Sequence, residues 1–418
     1  MKERNTKPLA IRPLAIGQRS ETVRRANLSA IVRELHANGP RSRSMLVARI
    51  GLTRSAIRSL LGELLGADVV REEPAAPRGT PGRPSPVVRI NPNAMVVLAV
   101  EVNVDSLAAA VVGLGGEVLE LVRVDRPKGG ASVDETLGEI VELAGRLLAD
   151  PIRRSSLVGV GVAVAGVVRR SDGFVSMAPN LGWRDVSFGE RLIAALQLGV
   201  PVTIVNEADS GALAEHLRGA AVDHDHVLFV AGEVGVGGGL IVDGRPLSGA
   251  AGYGGEIGHI PVNPVGRRCG CGAIGCWETE VGEGAVLQRA GRRADGGRAA
   301  LDAVLDDAAA GVPSAVAALV ETGRWLGVGL AGLVNLLNPE LVVLGGRFGR
   351  IHPYVADSIE AELDRRALAA PRALVRIVPA RLAADASLLG AAEVAFEAVL
   401  ADPAAWLRRP HRIELASA

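Results

Sequence analysis

All three cysteines of the 418-residue chain, Cys269, Cys271 and Cys276, fall within eight positions of the run GHIPVNPVGRRCGCGAIGCWE, Gly258 to Glu278. His259 precedes the first of them. One imidazole and three thiolates are the donor set of a tetrahedral Zn²⁺. Four protein ligands leave no open coordination position, so such an ion is structural and not a Lewis acid for chemistry. Gly270, Gly272 and Gly275 let the backbone fold tightly around it. The N-terminal run MKERNTKPLAIRPLAIGQRS is basic and lacks an apolar stretch, which predicts no signal peptide and a cytoplasmic, reducing location, where clustered thiols favour metal over disulfides. No uninterrupted apolar run reaches the ~18 residues of a membrane span, so no membrane partner is expected.

A chain of this length needs more than one hydrophobic core, and its charge divides it. Residues 1–92 carry 17 Lys+Arg against 7 Asp+Glu, while the remainder carries 29 against 39, so a net charge of zero hides a basic head on an acidic body. A basic head suggests a polyanionic partner. From Glu21 to Ala37, Val23, Leu28, Ile31, Val32 and Leu35 share one helical face. NGP stops that helix. Ser42 or Ser44 can cap a short second helix, SMLVARI, which Gly51 ends. Thr53 then caps a third helix with the stripe Ile57, Leu60, Leu61, Leu64 and Leu65. This is the helix-turn-helix plan, in which the start of the last helix reaches base edges. Thr53, Arg54, Ser55 and Arg58 occupy that start. Two β-like runs, DVVREE and SPVVRI, flank PAAPRGTPGRP. They form the wing of a winged helix, whose Arg78 and Arg83 are placed to enter a minor groove.

From Pro92 the texture turns to alternating β-rich and helical segments, an α/β pattern. MVVLAVEVNVDSLAAAVVGL reads as a hairpin pair, GEVLELVRVDRP as a third strand, SVDETLGEIVELAGRLLAD as an amphipathic helix, and LVGVGVAVAGVV as a buried strand. SMAPNLGW reads as a loop, PVTIVNEAD as a strand and HVLFVAGEVGVGGGLIVDG as another strand. The order of strands, helix, strand, helix occurs twice, which predicts two similar lobes with a ligand-binding cleft between them. His216, His224 and His226 show no partner spacing and are expected at the surface.

The runs APNLGW, NEADSGALAE, GVGGGLIVDGRPLSGAAGYGGEIGH, the cysteine loop and LVNLLNPELVVLGGRF together resemble the ROK family of repressors, open reading frames and kinases. The resemblance covers about residues 93–396. It implies an α/β, two-lobed, ribonuclease H-like or actin-like ATPase fold behind the mostly α winged helix. With that helix in front, the whole resembles the ROK repressors that respond to sugars such as xylose, N-acetylglucosamine or glucose. The resemblance further implies sugar contacts from Asn180, Asn206, Glu207, Glu256, His259 and Glu278. A polyol needs paired acceptors and amides at fixed positions, because a wrong epimer leaves buried polar groups unpaired. On this reading the metal loop is a strut that fixes Glu256 and Glu278.

Three departures separate the chain from ROK sugar kinases. Where the family carries Asp-(Ile/Leu)-Gly-Gly-Thr-Lys, this chain has VEVNVDSLAAAV, without the glycines that let backbone N–H groups approach phosphates. The second phosphate loop, Gly-Thr-Gly-(Ile/Val)-Gly, is replaced by GEVGVGGG, with Glu233 near the threonine position. The family's catalytic Asp is Glu207 here, one methylene longer, and a misplacement of that size can cost ~10²-fold. No catalytic residue is therefore assigned, and kinase activity is not expected.

These readings divide the chain into a basic tail (1–20), a DNA-binding head (21–92), a first lobe (93–205 with 384–400), a second lobe carrying the zinc loop (206–383) and a tail (401–418). They imply a sugar-responsive regulator that binds double-stranded operator DNA and a monosaccharide, as a homodimer or homotetramer, since paired half-sites need at least a dimer. The alternatives are a sugar kinase with a fused DNA-binding head, or a regulator whose body binds a protein partner.

Overall fold

The helical spacing of Leu28, Ile31, Val32 and Leu35 is realised in the helix Ser20–Asn38, which buries all four. Burying each such side chain contributes about 1.5–3 kcal/mol. Val23 lies a turn outside this face and stays 42% exposed, so it is not part of the stripe. The computed structural model describes residues 20–74, 86–126 and 131–407. These form two units, one running to Arg89 and resuming at Ala398, the other running from Ile90 to Glu397.

In the first unit, Ser42 caps the helix Arg43–Ile50 by accepting from the Met45 N–H, and Gly51 ends it in the left-handed region (φ 76°). Thr53 caps the helix Arg54–Gly66 in the same way, accepting from Ala56. That helix buries Ile57, Leu60, Leu61 and Leu64, while Leu65 at its rim is only half-buried. The strands Val70–Glu73 and Val87–Ile90 follow, joined by a third that the sequence did not suggest. Arg41 and Ser42, at the helix stop, pair antiparallel with Val88 and Val87. Arg43 grips Glu72 through two bonds of 2.5 and 2.7 Å, the fork geometry that favours arginine. The short helix Pro403–Leu407 packs on Ser20–Asn38 within this unit, where Ser29 Oγ donates to the Leu400 carbonyl at 2.5 Å.

Among the described residues the second unit holds two five-stranded sheets wound alike, beside a small antiparallel one of Val167–Arg169, Phe174–Ala178 and Trp183–Val186. In the first, Val96–Val102 pairs antiparallel with Ser106–Gly113 and parallel with Leu157–Val164; Glu117–Asp125 and Val202–Asn206 complete the edges. In the second, Val227–Gly232 pairs antiparallel with Val236–Val242 and parallel with Leu341–Gly346; Arg245–Pro246 and Arg376–Pro379 lie at the edges. The central strands of the first sheet are buried throughout, which is why they read as unbroken apolar runs. The expected strand HVLFVAGEVGVGGGLIVDG is thus a hairpin. SMAPNLGW is not a plain loop: it spans the end of strand Phe174–Ala178, a 3₁₀ turn and the start of Trp183–Val186.

Helix Val133–Leu147 packs against the first sheet behind a capping box of Ser132 and Glu135. In the second lobe, Pro313–Leu337 packs along Arg347–Arg366. By length and composition alone Pro313–Leu337 could cross a membrane, yet its Leu319, Leu326, Leu330 and Val334 are core residues of this lobe.

Candidate ligand cleft and metal site

The cysteine loop is closed at its base by two zippers. Pro261 pairs with Cys276 and Arg268 with Ile274, and the Trp277 N–H donates to the Ile260 carbonyl at 2.9 Å. Gly275 sits at φ 72° against the Asn263 carbonyl, where a Cβ would collide at 1.6 Å. The ligand atoms of His259, Cys269, Cys271 and Cys276 lie within 4.8 Å of one another. Cys271 and Cys276 sulfurs are 3.7 Å apart, and Cys269 Sγ is 3.6 Å from His259 Nδ1. A disulfide needs about 2.05 Å; a tetrahedral ion with metal–sulfur bonds of about 2.3 Å sets its ligands about 3.8 Å apart. The four residues can therefore hold a metal ion.

Beside this loop a cleft opens, lined from both lobes. Asn180, Asn206, Glu207, Glu256, His259 and Glu278, all singled out in the sequence, face it together. His259 ends the 3₁₀ turn Ile257–His259, whose N-cap is Glu256. With Nδ1 turned to the thiols, Nε2 is left for the cleft. Glu278, in the helix that begins at Trp277, accepts from the Val236 N–H at 3.1 Å, and so ties the metal loop to a cleft strand.

Asn206 has a second task. Its Oδ1 accepts from Ala208 and Asp209 N–H groups, and its Nδ2 donates to the Gly166 carbonyl at 2.9 Å. It is the N-cap of the helix Glu207–Arg218, which starts inside the run read as strand. One N–H of its amide is left for a ligand.

Glu207 opens that helix. Burial, with Glu233, Glu101, Glu256 and Asp105 nearby, pushes its carboxyl up to about 8. Burial likewise pushes Glu233 up to about 7 against the opposing Arg347, and Asp209 up to about 7. Burial also raises Glu256. The sequence reading missed Asp105, which lines the cleft, and Glu101 and Arg347, which neighbour Glu207 and Glu233 behind it. The available signal was a lone Glu and Asp inside the apolar run MVVLAVEVNVDSLAAA.

In the first unit, Thr53, Arg54, Ser55 and Arg58 are all exposed at the start of the third helix. Arg78 and Arg83 lie outside the described residues. His216, His224 and His226 are of intermediate exposure, the His226 side chain 39% exposed, and His224 Nε2 lies 2.7 Å from Arg376 Nη2.

Residues 97–398 match the ROK family profile. The chain belongs to the ROK family. A xylose repressor of Bacillus spizizenii is 27% identical over 377 residues, covering 90% of this chain and 96% of that protein. A glucokinase of Streptomyces coelicolor is 31% identical over 319 residues, covering 72% of this chain and 98% of that enzyme. The crystal structure of a ROK family transcriptional regulator, a homolog of the E. coli MLC protein, superposes with a TM-score of 0.73 at 27% identity. It covers 91% of this chain and 97% of its own. Regulators thus match nearly the whole ROK chain, and the glucokinase less than three-quarters of it.

Proposed function

We propose that this ROK protein is a sugar-responsive transcriptional repressor that binds operator DNA through its head and a monosaccharide in the cleft. The observation that carries the reading is the extent of the match: the xylose repressor aligns over 90% of the chain, a span too long for the ROK body alone. Thr53, Arg54, Ser55 and Arg58 then meet the major groove, with Arg78 and Arg83 as minor-groove arms. Asn180, Asn206, Glu207, Glu256, His259 and Glu278 bind the sugar hydroxyls. Zn²⁺ held by His259, Cys269, Cys271 and Cys276 would supply no chemistry; it would hold Glu256 and Glu278 in register. The protein works in the cytoplasm as a homodimer or homotetramer, since its operator half-sites need two heads.

Sugar binding shifts the equilibrium between closure states of the two lobes, and operator affinity changes by the differential binding energy of those states. A kinase reading is favoured by the glucokinase match over 72% of the chain and by Glu207, a buried carboxyl at the position of the family's base. Against it stands the first phosphate loop, where VEVNVDSLAAAV lacks the glycines that let backbone N–H groups approach a phosphate.

The test is capture of sheared genomic DNA from the source organism by the full-length protein, repeated with a panel of monosaccharides that begins with D-xylose. Enrichment of a few fragments, released by one sugar, is the expected result. No enrichment under any condition, together with ATP-dependent phosphorylation of a sugar, replaces this reading with the kinase.

A further inference from the structure

Each five-stranded sheet of the ROK body opens with a hairpin, and the two hairpin turns are equivalent elements of the two lobes: residues 103–105 in the first, 233–235 in the second. Asp105 stands in one turn and Glu233 in the other. Arg347, the first residue of helix Arg347–Arg366 in the second lobe, is only 5% exposed and addresses both. Its Nη2 donates to Asp105 Oδ2 at 2.9 Å, its Nε lies 3.6 Å from Glu233 Oε2, and its Nη1 pairs with Glu283. Arg298 adds a longer contact to Asp105 at 3.8 Å. Glu233 is itself pressed against Gly346, where a Cβ would meet its carboxylate at 2.2 Å.

Of the three acids on Arg347, Glu233 and Glu283 belong to its own lobe, and only Asp105 belongs to the other. A planar guanidinium can serve several carboxylates in fixed directions, which an ammonium cannot. We propose that Arg347 and Asp105 form an interlobe latch that sets the closure of the cleft, with Glu233 and Glu283 keeping the guanidinium aimed across it. Glu233 also lines the ligand cleft. A ligand hydroxyl that bonds Glu233 therefore acts on the same guanidinium that holds Asp105, and occupancy is coupled to closure through one side chain. The latch is independent of which ligand the cleft takes.

The test is amide hydrogen exchange on the full-length protein without ligand, comparing wild type, Asp105→Asn and Arg347→Lys. Asn103 and Glu233 N–H groups are each bonded within their own turns, so both turns begin protected. Opening the latch is expected to accelerate exchange at least tenfold in residues 103–106 and 233–236 together, in both variants, with the sheet cores unchanged. Acceleration confined to 103–106 in Asp105→Asn, or none at all, overturns the proposal, because Asp105 then only orders its own turn. If Asp105→Asn fails to fold, Arg347→Lys, which keeps the charge and loses the fork, decides by the same two-turn criterion.

Discussion

A Cβ placed on Gly329 would lie 2.2 Å from Cε2 of Trp277. The indole, fully buried, fills the notch that this glycine leaves in helix Pro313–Leu337, and its Nε1 donates to the Trp325 carbonyl at 2.8 Å. Trp277 directly follows Cys276, so the long core helix seats the end of the metal loop. Gly329→Val is expected to cost about 1–3 kcal/mol through overpacking and to lower the metal content of the purified protein. Thermal unfolding with metal analysis checks this, and an unchanged metal content would show that the loop does not depend on the seat.

Cys271→Ser removes one of four ligands and leaves a set that no longer closes a tetrahedral site. Purified wild type is expected to carry one zinc per chain and the variant much less, with a lower melting temperature, because metal affinity is folding free energy. Strong chelators should bring wild type down to the variant's stability. A wild-type protein purified under reducing conditions without bound metal would sink the assignment.

Glu207, at about 8, lies far above the ordinary 4.5 of a glutamate. Folding favours its neutral form, so its contribution is intact below the unfolded value and is lost as pH rises through about 8. Glu233, at about 7, acts in the same direction. Glu207→Gln is neutral at every pH and is expected to melt above wild type at pH 9, by up to about 4 kcal/mol of stability, with the gap closing toward pH 5. A gap that is constant across this range would mean that the carboxyl does not titrate there.

The candidate metal ligands were legible because four donors able to share one ion stand close together in the chain, and the head's core because helical spacing repeats over several turns. The cleft required the family's motifs, since Asn180, Asn206, Glu256 and Glu278 come from separate elements and no local periodicity joins them. Arg347 was illegible for the same reason: its partners Asp105 and Glu233 stand 242 and 114 positions away in the chain. Glu207 was taken for strand because Asn206 caps the helix inside an otherwise β-like run, and a cap is a property of one side chain, not of a pattern.

Arg54 and Arg58 share the exposed start of the third head helix, and neither makes an ion pair with the described residues. Thr53 is committed to the cap and Ser55 bonds it at 3.0 Å, so among the described residues the two arginines are the unpaired cations at the start of this helix. If they reach bases or phosphates, Arg54→Ala and Arg58→Ala should each weaken operator binding by about 1–3 kcal/mol, roughly 5- to 150-fold in Kd. An arginine on a phosphate lowers affinity for all sequences and reduces the salt dependence of binding by about one ion, while one on a base relaxes selectivity at a single position. Titration of the captured operator and of a scrambled duplex at several salt concentrations separates the two roles. Sugar binding, measured by calorimetry, should stay at the wild-type level in both variants, because these arginines belong to the head and every proposed sugar contact to the body. Variants that bind operator as wild type does would take the third helix out of the groove.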